Sequence, residues 1–141
     1  MLVVPRPADW DWTAAVLEVL ATPKLSSELA VVTLPQVHWQ DGTTFDLVTI
    51  GHRCRELGIP LVVDGTQSIG ARVLDVQAVQ PAFLACSAYK WLLCPYGLAF
   101  LYVAPDRQEG GKPIEMHNWE RTGDGFCKCY GHRQLFFHLT Q

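Results

Sequence analysis

Short apolar runs recur along the chain, and most are closed by proline, glycine or a charged residue. Five runs have the length and composition of strands: 2–4, 29–34, 59–63, the run AFLACSAYK after Pro81, and GLAFLYV at 97–103. The run at 29–34 carries no charge, which is typical of a strand covered on both faces. The alternation of these runs with polar segments predicts a sheet.

Between the runs at 29–34 and 59–63, the apolar positions change to helical spacing. These positions are Leu47, Ile50, Cys54 and Leu57. Gly58 follows them as a helix stop. The sequence also predicts a helix that Asp9 or Asp11 caps and that runs to about Leu20, and a short helix over 75–80.

The connections between runs indicate how the strands are arranged. A strand, a helix and a strand within about thirty residues form a right-handed crossover, which makes the two strands parallel. Fewer than ten residues join the run after Pro81 to the run at 97–103, whereas a parallel return generally needs a dozen or more. We therefore predict an α/β fold with a mainly parallel sheet and one antiparallel strand.

Polar side chains gather at the predicted carboxyl ends of the strands. Asp64 ends the run at 59–63, and Ser87, Tyr89 and Lys90 end the next run. Parallel α/β sheets bind ligands at this edge. A carboxylate there can pair with a protonated ring nitrogen, and a partly desolvated amine is a good nucleophile toward a carbonyl. Together with a hydroxyl that can donate to phosphate, these groups suit a phosphorylated heterocycle bearing an aldehyde.

Each of these residues also has a structural interpretation. Asp64 with the following glycine is a good turn dipeptide, and a single lysine such as Lys90 is typical of a solvated surface. Gln67 and His38 are typical of turns and loops. From the residues alone, the sequence predicts only a polar cluster at the strand ends.

Two motifs, VVDGTQSIGA and ACSAYKWLLCPYGLAFLYV, carry a resemblance to a known family. With Asp64 and Lys90 separated by 26 residues, they resemble the class V aminotransferase group of pyridoxal-phosphate (PLP) enzymes. That group includes cysteine desulfurases, selenocysteine lyases and kynureninase-like enzymes. The resemblance implies a fold type I PLP-dependent transferase large domain, of which residues 1–126 would form a part. Residues 127–141 would be an atypical tail with no assigned place.

The resemblance also implies roles for individual residues toward PLP. Asp64 would pair with the pyridine nitrogen, and Lys90 would form the internal aldimine, a Schiff base. The other implied cofactor contacts are Gln67 to the phenolic oxygen, Ser87 and Tyr89 to the phosphate, and the loop residues His38 and Trp39, where Trp39 stands at a position that is often asparagine in this group.

The net charge, the length of the apolar stretches and the cysteines indicate which partners and which cellular compartment to expect. A net charge of −3 without a basic run gives no reason to expect a nucleic-acid partner. No apolar stretch approaches the ~18 residues that cross a bilayer, and the apolar start breaks at Pro5, so we expect neither a membrane span nor a signal peptide. Five cysteines at irregular spacings do not form a disulfide framework, which favours the cytoplasm.

The resemblance therefore implies a PLP-dependent enzyme that acts on an amino acid, in a family whose members usually form homodimers. Two alternatives stay open. Because the chain is much shorter than these enzymes, it could be a truncated, non-catalytic fragment that binds the cofactor weakly or not at all. A tail zinc site is the other alternative, although its spacing has little precedent and no metal ligands are assigned; its residues would be Cys127, Cys129, His132 and His138.

Overall fold

The computed structural model of the protein describes residues 2–108 and the backbone of Phe136–His138. In chain order the described elements are α1 (Trp12–Ala21), α2 (Pro23–Ser26), β1 (Val32–Pro35), α3 (Leu47–Glu56), β2 (Leu61–Asp64), α4 (Val76–Val79), β3 (Phe83–Ser87), β4 (Leu98–Val103), α5 (Pro105–Gln108) and β5 (Phe136–His138). The three predicted helices and four of the five predicted strands are confirmed.

The strands form one mixed sheet in the order β1-β2-β3-β4-β5. The first three are parallel, with Val32 opposite Leu61 and Val62 opposite Phe83. β4 runs antiparallel to β3, and β5 runs antiparallel to β4. The predicted reversal of the run at 97–103 is therefore confirmed, because β4 is the one strand of the described sheet that runs against the others.

Aspartates begin the helices that flank the sheet. Asp11 Oδ1 accepts a hydrogen bond from the Ala14 N–H at 2.9 Å, which selects Asp11 over Asp9 as the cap of α1. Asp46 caps α3 by accepting from the Thr49 N–H at 3.0 Å. Hydrogen bonds from the Thr49 hydroxyl and amide hold the pKa of Asp46 below its ordinary value.

One hydrophobic core lies between the sheet and the helices α1 and α3. Each element contributes the residues of one face, as the helical and strand periodicities require. Its most buried members are Val16 and Leu20 from α1, Ile50 and Cys54 from α3, and Leu61 and Val63 from β2. The helices of this core therefore cover one face of the sheet and leave the strand ends free to carry polar residues.

Two strand predictions are wrong. Residues 2–4 form no strand, because Leu2 and Val3 are exposed and the prolines that follow cannot donate to a sheet edge. The run at 29–34 is not covered on both faces, because Thr33 is exposed and Val31 retains 46% of its accessible surface. An apolar run of this length does not distinguish a strand covered on one face from one covered on two.

The contact between α3 and α4 depends on Gly51, and we expect Gly51→Ala to destabilise the fold. A Cβ atom there would lie 2.4 Å from the Val79 carbonyl oxygen, which also accepts a 2.8 Å hydrogen bond from Arg55. Overpacking costs about 1–3 kcal/mol, which outweighs the helix preference of about 1 kcal/mol for alanine over glycine. Urea unfolding measures the change. Val48→Ala, at an exposed position of the same helix, should stay within about 0.5 kcal/mol, and an equally small change for Gly51→Ala would contradict the prediction.

Candidate active site

The carboxyl ends of β1, β2 and β3 lie at one edge of the sheet because these strands are parallel. Asp64 ends β2 opposite Ala85, and Ser87 ends β3 two residues further along. Since side chains alternate along a strand, Asp64 and Ser87 project from the same face, which is the face opposite the buried core. The structure therefore brings these two predicted site residues to one edge and one face.

Thr66 ties the ends of β2 and β3 together. Its N–H donates to Asp64 Oδ1 at 2.9 Å, and its hydroxyl oxygen accepts from the Ser87 N–H at 3.1 Å. Within the described part of the chain, no residue donates to the other carboxylate oxygen of Asp64. Sequence reasoning missed Thr66, although an aspartate two residues before a backbone N–H is the pattern of an Asx turn. One oxygen of Asp64 is thus held while the other is open to a ligand.

The turn after Asp64 packs directly against the segment that carries Lys90. Gly70 has a φ of 97°, and a Cβ atom added to it would lie 2.6 Å from the Trp91 carbonyl oxygen. Only a residue without a side chain allows this approach. The two sequence motifs, far apart in the chain, therefore meet at the backbone of the residue next to Lys90.

Lys90 begins a tight turn at the end of β3. Its carbonyl accepts from the Leu93 N–H at 3.1 Å. The residue is half-buried, and its Nζ has no carboxylate or hydrogen-bond partner among the described residues. Its Nζ lies 5.8 Å from the centroid of the Tyr89 ring, which stacks on Tyr96 at 4.6 Å. Within the described residues, no ion pair would therefore have to break before this amine reacts with a carbonyl.

Gln67 lies in the turn between Asp64 and Gly70. Its residue is half-buried, and its side chain makes no hydrogen bond within residues 2–108. The amide is therefore not committed to the protein. The predicted contact of Gln67 with a phenolic oxygen stays a prediction, as do the phosphate contacts of Ser87 and Tyr89.

His38 and Trp39 lie in the loop that connects β1 to α3. Val37 and Thr44 form an antiparallel bridge, and the His38 N–H donates to the Thr43 carbonyl at 2.8 Å. The loop is thus closed on itself like a hairpin. Trp39 retains 71% of its accessible surface. The loop begins beside the site, because the residue after β1 donates its N–H to the Asp64 carbonyl at 3.3 Å.

The imidazole of His38 has partners within the protein. Its Nδ1 lies 2.9 Å from Asp41 Oδ2, and its ring stacks on Trp12 of α1 with centroids 4.9 Å apart. Sequence reasoning did not find this cluster, because Trp12 and His38 are separated in the chain by α1, α2 and β1. The side chain of His38 therefore helps to hold the loop to α1, and a direct contact with the cofactor stays a prediction.

Cys86 on β3 directly precedes Ser87. Burial raises the pKa of its thiol, and the neighbouring Asp64 carboxylate and Cys94 raise it further. A thiol that stays protonated is a poor nucleophile and a poor metal ligand. The described residues contain no cluster of three potential metal ligands. The proposed tail zinc site lies outside the described residues.

These groups fit a cofactor that offers a carbonyl to an amine and a ring nitrogen to a carboxylate. Residues 4–126 match the family described as Aminotransferase class-V. The chain therefore belongs to the class V aminotransferase family, whose enzymes depend on PLP.

Sequence similarity to two individual relatives supports the family assignment. The chain is 33% identical to "Uncharacterized aminotransferase YcbU" of Bacillus subtilis over 106 residues, which cover 75% of this chain and 28% of that protein. It is 30% identical to an isopenicillin N epimerase of Streptomyces clavuligerus over 131 residues, covering 78% of this chain and 33% of that protein. The chain thus spans between a quarter and a third of the length of these relatives.

A solved structure shows the same fold. The apo cysteine desulfurase of Thermococcus onnurineus superposes on 73% of this chain and 25% of its own, with a TM-score of 0.65 and 22% sequence identity. The predicted fold type I architecture is confirmed by this likeness. No helix in the described part of the chain is long and apolar enough to cross a bilayer.

Proposed function

We propose that this chain binds PLP at the carboxyl edge of β2 and β3, with Lys90 as the point of covalent attachment and Asp64 as the partner of the ring nitrogen. The whole protein would act on an amino-acid substrate, as a homodimer. The cysteines at 54, 86 and 94 are free thiols, which favours a reducing compartment such as the cytoplasm.

The observation that carries the proposal is the contact between Gly70 and Trp91. It holds the turn after Asp64 against the turn that begins at Lys90, so that an acid and an amine share one edge of the sheet. Bound PLP supplies an electron sink for the carbanion that forms at the substrate α-carbon. Asp64 would keep a proton on the ring nitrogen, and the Lys90 amine would move a proton at that α-carbon.

Reductive labelling of the full chain tests the proposal. The purified protein is mixed with PLP, its visible absorbance is recorded, and borohydride then fixes any covalent adduct for peptide mapping. We expect one labelled peptide, modified at Lys90. Label spread over several surface lysines, or no label at all, would contradict attachment at this site.

We expect Asp64→Asn to weaken PLP binding about tenfold, because it replaces a charge-assisted hydrogen bond at an exposed position with a neutral one. Asparagine keeps an oxygen for the Thr66 N–H, so the turn should remain intact. An absorbance titration with PLP measures the affinity. Asp75→Asn, which retains the helix cap of α4, is the matched control. Equal affinity of Asp64→Asn and wild type would exclude Asp64 as the ring partner.

A non-catalytic fragment is the second candidate. The observation that favours it is coverage, because the chain matches only 28% and 33% of two relatives. Under this interpretation the sheet folds but the labelling experiment gives no stoichiometric adduct. The same experiment therefore separates the two functions.

A further inference from the structure

A buried cluster of three side chains anchors the loop between β1 and α3 from its inner side. The cluster consists of Trp12, His38 and Asp41, and we refer to it as the Trp12 cluster. The side chain of His38 is 17% exposed and that of Asp41 is 9% exposed, although both belong to a surface loop. Phe45 closes the cluster, with its ring centroid 5.9 Å from that of Trp12. A histidine and a carboxylate are thus withdrawn from water in a loop whose tip is open.

The cluster is held by charge and by stacking. Burial alone would raise the pKa of Asp41, but hydrogen bonds from the Thr43 N–H and hydroxyl, together with the neighbouring His38, hold that pKa below its ordinary value. The Trp12 Nε1, His38 Nδ1 and Asp41 Oδ2 atoms are all buried, and none makes an aligned hydrogen bond within the described residues. His38 Nδ1 and Asp41 Oδ2 face each other at 2.9 Å, so each of these two groups offsets part of the cost of burying the other.

The loop begins beside the carboxyl end of β2 and carries one large exposed side chain. Its first residue, Gln36, is hydrogen-bonded to the Asp64 carbonyl, and its tip carries Trp39 with 71% of its surface exposed. An indole at a fixed position offers a flat face to a planar ligand. For this use the loop must be stiff, because a misplacement of about 1 Å can cost about a hundredfold in a catalytic rate.

We propose that Asp41 and Trp12 are positioning residues, which hold His38 and thereby fix Trp39 over the cofactor edge. The inference rests on the proposed function, because Trp39 needs a cofactor there to contact. His38 would then be a positioning residue as well, and Trp39 the residue of this loop that touches the cofactor. Asp41 acts on the cofactor only through the loop.

Fluorine NMR of the full chain, labelled with 5-fluorotryptophan, tests the position of the loop without any cofactor. The Trp39 resonance is assigned by its loss in Trp39→Phe. Asp41→Asn should shift or broaden that resonance, and Trp12→Phe, which keeps a stacking ring but removes the N–H, should do the same. Asp106→Asn removes an exposed carboxylate from α5 and should leave the resonance unchanged. An unchanged Trp39 resonance in both cluster variants would overturn the proposal.

The affinity for PLP, measured by titration, tests the consequence of that position. Asp41→Asn should weaken binding about tenfold, and Asp106→Asn should not change it. If Asp41 acts through Trp39, the double variant Asp41→Asn/Trp39→Phe should bind PLP no more weakly than Trp39→Phe alone. Additive losses of affinity would show that Asp41 has an independent role and would overturn the proposal.

The two proposals fail in different ways. A wild-type chain that takes up no PLP overturns the proposed function, and with it the claim that Trp39 contacts the cofactor. If Asp41→Asn and Trp12→Phe are folded and bind PLP as tightly as the wild-type chain, only the positioning role is overturned. If Asp41→Asn does not fold, Trp12→Phe alone decides both measurements.

Discussion

Lys90→Ala should reduce borohydride-fixed label to background and abolish the visible absorbance that appears when PLP is added to the wild-type chain. Lys90 is half-buried and, within the described residues, unpaired with any acid, and under the proposed function its amine is the group that adds to the carbonyl of PLP. Alanine offers no nucleophile. Peptide mapping of the reduced protein gives the measurement.

Two further variants separate the nucleophile from its charge. Lys90→Arg keeps the positive charge but has no reactive amine, so it should also lose the label. Lys24→Ala removes an exposed lysine at the end of α2 and should keep the label on Lys90. Persistent label at one defined position in Lys90→Ala would show that another lysine holds the cofactor and would contradict the site assignment.

The parts of the fold that local patterns dictate could be predicted from the sequence. The spacing of Leu47, Ile50 and Cys54 places α3 within two residues of its observed start and end, because an amphipathic face and the stop at Gly58 are local properties. The direction of β4 followed from the length of the connection alone. These features need no knowledge of what packs against them.

Other features depend on the register between strands and were not predictable. That Thr66 bridges Asp64 and Ser87 follows from the pairing of Asp64 with Ala85, which no local pattern specifies. The exposure of Thr33 depends on which sheet face the helices cover. Side-chain chemistry indicates which residues can form a site, whereas the register decides which of them meet.

The structure brings part of the predicted set of site residues together, while their roles toward PLP stay predictions. Asp64 and Ser87 share an edge because their strands are parallel, they share a face because of the observed register, and the turns beside Asp64 and Lys90 touch. His38 was chosen for its position in the loop, yet its observed partners are Asp41 and Trp12. A single sequence does not show that a residue of α1 stacks on a loop histidine.

Gly70→Ala should damage both the stability of the chain and its affinity for PLP. At a φ of 97° any L side chain is strained by about 1–3 kcal/mol, and the added Cβ would lie 2.6 Å from the Trp91 carbonyl oxygen, too close for contact without movement. The backbone beside Lys90 must therefore shift. We expect a loss of about 2–4 kcal/mol in the free energy of unfolding and, under conditions in which the variant is folded, at least about tenfold weaker PLP binding.

Gly58→Ala separates the two causes. Gly58 also lies in the left-handed region, at a φ of 69°, but an added Cβ there meets nothing within 4 Å. It follows the C-cap of α3 and precedes the amino end of β2, at the opposite end of that strand from Asp64. It should therefore show the backbone strain alone, with unchanged PLP affinity. Urea unfolding and PLP titration of both variants measure the difference. Equal effects in the two variants would mean that the contact with Trp91 does not hold Lys90, and the structural basis for pairing Lys90 with Asp64 would be lost.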